Sequence, residues 1–505
     1  MNLFASLPFI KSMNPTVKVI GSGVGGLATA IRLASMGMHV TVYEKNSFVG
    51  GKVHSRTFNG YRFDMGPSVF TEPHLIDELL DLGKSRNTLT YSALPESGRY
   101  FFEDGTRLIV ASGTEGTIKC LVEELGESYA GSKKYLKRIQ KNYRALYPVF
   151  IETSLHRWKH LFTSKILRAL WYLPNYGLLT TMNGFSKRYF QHEKTVQLLN
   201  RFATYNGSDP YQTPGLLSII GHLELNVGSF FPEGGMVSIS RNLEETARSL
   251  GVEFVVDSEV QSIETENGRV KGVQVNGVFE RADIVVSNAD VHHTYERLLP
   301  QIERPKKILG QEMSSSAVVF YWGIEREFSE LGVHNVFFSK DYKAEFQAIF
   351  KDKTLFDDPT VYIHISCKVE PSDAPSGCEN WFVMVNAPVD IGQDWSNLVQ
   401  ELRKKVLRKL SQMLHQDIEA LIRTEHINDP ITLQQTYNGK GGSIYGNSSN
   451  SSMAAFYRHP NFATKVKGLY FAGVTVHPGG GIPLALNGAK IVERLIKEDY
   501  QQAVP

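Results

Sequence analysis

The first clear pattern begins at Thr16: an apolar run over residues 17–20, a cluster of glycines, Ala and Leu at helical spacing, then a second apolar run from His39 to Tyr43. Short apolar runs on either side of a helical period predict a β-α-β unit with buried parallel strands. Residues 254–288 instead alternate apolar and polar positions, broken by Asn267-Gly268 and Asn276-Gly277. Those dipeptides suit two-residue hairpin turns, so a three-stranded meander is expected there, followed by a buried strand over Ile284–Ser287. Before it, Pro232-Glu233-Gly234-Gly235 leads into a helical period over 238–250. Near the C-terminus, 469–472 reads as a buried strand ended by Gly473, Gly479-Gly480-Gly481 as a tight loop, and 483–497 as a helix with Pro483 in its first turn. No run reaches the roughly 18 apolar residues of a membrane span. The first thirteen residues lack the basic start and cleavage site of a signal peptide and read as a tail.

The chain has 505 residues, enough for two to four lobes at about 150 per domain. The pattern predicts an α/β protein: a Rossmann-like cofactor domain assembled from 14–95, 226–294 and 431–505, with 96–225 and 295–430 forming a mixed-sheet and helical lobe for substrate and membrane contact. Lys and Arg number 54 against 52 Asp and Glu, so no overall field attracts nucleic acid and no such partner is expected. The three cysteines, Cys120, Cys367 and Cys378, form no CxxC pair and are too few for a disulfide scaffold. No metal site is expected, and a reducing cytoplasm fits.

Gly21, Gly23 and Gly26 stand as G-x-G-x-x-G between the first strand and its helix, with Gly25 inside the motif and Glu44-Lys45 closing the second strand. Gly21 permits the tight turn, Gly23 lets the backbone approach a pyrophosphate, and Gly26 allows close helix–strand packing. Glu44 accepts ribose hydroxyls and repels the 2′-phosphate of NADP. Just beyond, Gly50-Gly51-Lys52, with Arg56, offers amides and cations near the pyrophosphate, and Gly66-Pro67-Ser68 forms a second small-residue turn. A surface loop with solvated cations is the alternative. Val260 is a plausible wall for the adenine. At the far end, Gly473, Gly481, Ile482 and Pro483 place a helix start where it would stabilise negative charge on a reduced flavin ring.

GSGVGGLATA, GGKVHSRTFNGYRFDMGPSVF, FFPEGG and FAGVTVHPGGGIP together resemble the bacterial carotenoid desaturases, within the superfamily of FAD-containing amine oxidases. The likeness covers nearly the whole chain, and Val476 before His477 brings the tail closer to the hydroxycarotenoid 3,4-desaturases. It implies noncovalent FAD, a long polyene substrate drawn from a bilayer, and formation of a C=C bond by hydride transfer to flavin N5, with 3,4-desaturation of a 1′-hydroxylated carotenoid as the specific reaction. Phytoene desaturation, other flavin-dependent oxidation or isomerisation of carotenoids, and a nonenzymatic lipid carrier on the same framework are the alternatives. Lys52 stands where many flavin relatives have Arg. The acceptor that reoxidises the flavin is expected to be oxygen or a quinone.

Desaturation also requires a proton to leave. His477 is the first candidate to take it, with pinning of the glycine loop as its alternative role, and Glu233 is the second. Arg201 and Asp209, in RFATYNGSDPYQTP, are candidates to reach a substrate end, although a helix cap and a surface turn account for Asp209 equally well. Phe230-Phe231, Phe337-Phe338 and Tyr470-Phe471 are candidate tunnel walls, most of them core residues on general grounds. Residues 156–179 mix cations with Trp, Phe and Leu, a composition suited to peripheral membrane contact or to a buried amphipathic helix.

Overall fold

The computed structural model describes residues 15–84, 88–154, 156–157, 176–451, 454 and 457–501. Five parallel strands form the cofactor sheet: β1 (Thr16–Ile20), β2 (His39–Tyr43), β3 (Glu253–Val255), β4 (Ile284–Ser287) and β5 (Leu469–Phe471), in the order β5-β4-β1-β2-β3. β1 is central and buried on both faces, with Val17 and Val19 fully buried on one and Lys18 on the other reaching Thr41, Tyr43 and Glu280. The chain leaves β1 towards β2 on one side and returns as β4 on the other, so the C-terminal end of β1 lies at the topological switch point where open α/β sheets bind ligands. Helices α1 (Val24–Ser35), α2 (Val237–Ser249) and α3 (Ile482–Gln501) contribute to one core with the inward faces of these strands.

The meander runs Val260–Glu266, Arg269–Val275 and Val278–Arg281. Asn267, Gly268, Asn276 and Gly277 all have φ between 51° and 78°, the left-handed values that a type I′ turn demands at both central positions.

The second sheet has seven strands, in the order Ile422–Asn428, Ser316–Ile324, Glu379–Ala387, Val361–Ile365, His334–Phe337, Glu96–Phe101 and Arg107–Ala111. Its one parallel pairing joins Glu96–Phe101 to His334–Phe337, so the two long insertions share a single sheet. Ser316–Ile324 is buried at every position, and its core is completed by helix Trp395–Leu414.

Four aromatic candidates for tunnel walls are core residues. Phe337 stacks on Phe101 at 4.5 Å, Phe338 stacks on Phe102 at 5.0 Å, Phe471 packs against His459, and the Tyr470 hydroxyl donates to Asp499. Among the described residues no helix is long and apolar enough to cross a membrane. Most of the candidate membrane segment 156–179, including Trp158, Phe162, Trp171 and Tyr172, lies outside the described residues, as does the N-terminal tail. Arg157 is described, and its guanidinium is held by Glu498 and Asp499, which removes it from any role toward lipid headgroups.

Candidate functional site

The glycine motif ends β1 and starts α1, with Gly21 at φ 91°. A Cβ on Gly26 would stand 2.2 Å from the Gly21 carbonyl oxygen, so helix and strand touch there as backbone. A Cβ on Gly25 would stand 2.8 Å from the Gly473 nitrogen, which brings the two ends of the chain into contact. Asn288, just past β4, wedges between them and crowds the Cβ positions of Gly23, Gly25 and Gly473. It escaped sequence reading because one Asn after an apolar strand reads as an ordinary turn.

One cavity of about 570 Å³ is lined by Gly21, Gly23, Gly25, Glu44, Lys45, Gly51, Lys52, Gly66, Pro67, Ser68, Val260, Gly473, Gly481, Ile482 and Pro483. Glu44 is buried at the end of β2. Its Oε2 accepts from the Ser22 amide and hydroxyl at 2.9 and 2.7 Å, and its Oε1 accepts from the Asn46 amide and side chain, each at 2.9 Å. Lys52 donates to the Ile444 carbonyl at 2.8 Å, and burial pulls its pKa down to about 8. Arg458, 3% exposed, makes four hydrogen bonds, all to uncharged acceptors: the carbonyls of Tyr445, Val474 and Asn447 and Oδ1 of Asn206. Burial lowers its pKa to about 10. Buried cations held by neutral acceptors leave positive charge for an anionic ligand to meet. With the open glycine backbone and the Glu44 carboxylate, that charge fits a dinucleotide with a pyrophosphate.

Residues 436–439 and 442–445 and Arg458 also line the cavity. The glycines of NGKGGSIYG were the signal available for that segment, and Gly441, Gly442 and Gly446 have φ of 58°, 72° and 71°.

The same cavity is lined by Leu216, Ile219, Ile220, Leu223 and Phe150, and by Arg201, Tyr205 and Glu224. Arg201 is buried and pairs with Glu224. Its guanidinium also donates to the hydroxyls of Tyr205 at 2.8 Å and Tyr100 at 2.7 Å, while the Tyr205 hydroxyl donates to Glu224 Oε2 at 2.5 Å.

Several expectations need correction. Arg56 lies exposed on the hairpin Ser55–Phe58/Tyr61–Asp64, outside the cavity, because the strand turns its side chain outward. Glu233 is exposed in the turn before α2 and outside the cavity. The Asp209 carboxylate is used within its own turn, accepting from the Tyr211 amide at 2.8 Å and the Gln212 side chain at 2.7 Å. Phe230 packs edge-on against Tyr91 and Phe231 sits near His364, neither of them in the cavity.

His477 does line the cavity, but its Nε2 donates to the Thr153 carbonyl at 2.9 Å, its backbone amide donates to His459, and its own carbonyl accepts from Asn461. Burial, with the charges of His156 and Arg458, pushes its pKa down to about 3. These three hydrogen bonds tie the residue to the segments around it.

Sequence comparison agrees with this geometry. The chain belongs to the family of flavin containing amine oxidoreductases, which matches residues 24–492. It is thus a flavin-dependent oxidoreductase whose cofactor is FAD. It is 46% identical over 479 residues to the 1-hydroxycarotenoid 3,4-desaturase of Flavobacterium sp. (strain P99-3), spanning 95% of this chain and 98% of that protein. The 4,4′-diapolycopene oxygenase of Methylomonas sp. is 34% identical, spanning 97% and 99%. Among solved structures, cyclohexylamine oxidase from Brevibacterium oxydans IH-35A superposes with a TM-score of 0.62 at 14% identity, covering 97% of this chain and all of that one, a likeness of fold.

Proposed function

We propose that this chain is a FAD-dependent carotenoid desaturase that introduces a C=C bond into a long polyene, with 3,4-desaturation of an acyclic, 1′-hydroxylated carotenoid as its specific reaction. The observation that carries this reading is the continuity of one cavity from the dinucleotide glycines to an apolar stretch that meets the Arg201–Tyr205–Glu224 cluster. FAD, when bound, supplies the two-electron acceptor for hydride that no side chain can provide. The residues of this chain do the rest. Gly21, Gly23, Gly25, Glu44, Lys45, Gly51 and Lys52 hold the nucleotide portion, with Val260 beside the adenine. Gly66, Pro67, Ser68, Gly473, Gly481, Ile482 and Pro483 shape the ring pocket. Leu216, Ile219, Ile220 and Leu223 exclude water and guide a hydrocarbon. The activity of the 46% identical relative supports the reaction, and the Arg201–Tyr205–Glu224 cluster supports a hydroxylated end.

The test is incubation in liposomes with phytoene and with a 1′-hydroxylated carotenoid, following the absorption maximum. A red shift with the hydroxylated polyene is expected. A shift with phytoene alone overturns the specific reaction, and no shift with either, in fully flavinated protein, overturns desaturation. Tyr205→Phe is expected to reduce the preference for the hydroxylated substrate about tenfold, the worth of one hydrogen bond, read as the ratio of kcat/KM values.

Peripheral membrane contact through 156–179, at the cytoplasmic face, belongs to the same proposal and rests on that segment's composition. Flotation with anionic liposomes, weakened when the Trp and Lys residues of 158–171 are replaced, is the expected result. Oxygen or a quinone is the proposed acceptor that reoxidises the flavin.

A further inference from the structure

The reaction needs a proton acceptor, and the two residues first considered serve it poorly: burial makes the His477 ring a weak base, with Nε2 donating to the Thr153 carbonyl, and Glu233 faces solvent. Another carboxylate lines the cavity. Glu72 follows the Gly66-Pro67-Ser68 turn and lines the same cavity as it does, together with Tyr143, Leu146 and Phe150. Its backbone has φ 53°, a left-handed conformation that side chains with a Cβ disfavour and that gathers at functional sites when the surroundings enforce it. Here the Glu72 carbonyl accepts from the Leu75 amide at 3.0 Å to start helix His74–Leu80, which fixes the backbone on one side of the residue.

The side chain is held as firmly. Oε1 accepts a 2.5 Å hydrogen bond from the Tyr143 hydroxyl, while Oε2 takes none from the described residues. Tyr143 stands on helix Tyr129–Leu146, where it passes into a π-helical turn over Tyr147–Ile151, a distortion that recurs at functional sites. No described cation forms an ion pair with Glu72. The charged and titratable groups around it are Tyr143 and Tyr147 on that helix, Glu152 beyond it, His74 on its own segment, Lys490 on α3, and Glu78, to which Lys490 is committed. Burial raises its pKa above the usual carboxylate range, which brings its basicity closer to what proton abstraction needs.

We propose that Glu72 is the catalytic base of the desaturation, an inference that rests on the desaturase reading. One carbon of the saturated CH–CH unit gives hydride, with its bonding pair, to FAD. The neighbouring carbon gives its proton to Glu72 Oε2, and the pair left by that C–H bond becomes the new π bond. FAD is reduced by two electrons, the polyene loses two hydrogens, and Glu72 later releases its proton to water.

The test uses full-length holoenzyme in liposomes with a 1′-hydroxylated carotenoid, under nitrogen, following loss of oxidised-flavin absorption in a single turnover. Glu72→Gln is expected to keep its flavin content and the shift that polyene binding causes in the flavin spectrum, yet to slow flavin reduction by about 10²–10⁴-fold. The wild-type rate should rise with pH as the carboxyl deprotonates, and the Gln variant should lack that rise. In infrared difference spectra of the turnover, wild type should gain a protonated-carboxyl band that the variant does not show. Glu72→Gly, which relieves the left-handed strain and so guards against a folding defect, should lose the rate equally. Reduction of either variant within a few-fold of wild type overturns the assignment, as does a pH profile shared by wild type and Glu72→Gln. Failure of any polyene to reduce wild-type flavin strikes the desaturase reading itself, before Glu72 is at issue.

Discussion

Purified Glu44→Arg protein is expected to be colourless, with an unchanged far-UV circular dichroism spectrum and less than a tenth of the wild-type flavin per chain. Glu44 ends β2 as a buried carboxylate and holds two neighbouring loops, through the Ser22 amide and hydroxyl on one oxygen and Asn46 on the other. Reversing its charge removes the acceptor for the ribose and adds a third cation beside Lys45 and Lys52, both of which line the same cavity. Loss of two hydrogen bonds to a charged group, at about 1.5–3 kcal/mol each, corresponds to a roughly 10²–10⁴-fold weaker complex. Flavin-to-protein absorbance after gel filtration is the measurement. Full retention of flavin would refute the placement of the ribose at Glu44. Glu44→Gln separates charge from shape: it keeps one acceptor oxygen and should hold an intermediate amount of flavin.

Periodicity makes the nucleotide half-site legible, because each strand and helix there is local and buried on a regular face. β2 and β4 have the predicted bounds, β1, α2 and α3 each start one residue early, α3 runs four residues further, and the two Asn-Gly turns are where their backbone chemistry requires them. The convergence of Gly25 on Gly473 was also legible, since both flank strands of one sheet. What escaped depends on contacts distant in sequence. Nothing local in Glu96–Phe101 announces a parallel partner at His334–Phe337, and nothing in Glu224 announces Arg201. Aromatic pairs mislead for another reason: Phe230 and Phe337 are as apolar as any tunnel wall, and composition does not distinguish a filled interior from a lined cavity. Glu72 was invisible because an acid before Pro reads as the start of a helix; its left-handed backbone and its contact with Tyr143 exist only in three dimensions. Val476, by contrast, pointed through resemblance alone to the subgroup of the 46% identical relative.

Glu224→Ala is expected to destabilise the protein by about 3–5 kcal/mol, the cost of leaving a buried charge without its partner. Arg201 and Glu224 have side chains 8% and 3% exposed, and the guanidinium already sits among the rings of Tyr100, Phe202 and Tyr205. Removing the carboxylate leaves a buried cation without its counter-charge, and the Tyr205 hydroxyl loses its acceptor at the same time. Urea denaturation followed by fluorescence measures the loss. If it falls below about 1 kcal/mol, water or a rearranged hydroxyl has replaced the carboxylate, and the cluster is not a closed network. The double variant Arg201→Met/Glu224→Leu separates structure from recognition. Well-packed apolar pairs often substitute for buried ion pairs without loss of stability, so the double variant should recover most of what Glu224→Ala forfeits. Its polyene preference should not recover with it: with no charge near Tyr205, a hydroxylated end gains little over a plain one, and the ratio of kcat/KM for the two substrates should fall at least tenfold. Recovery of both stability and preference would assign the cluster to architecture alone and move the recognition of the hydroxyl to another wall of the cavity.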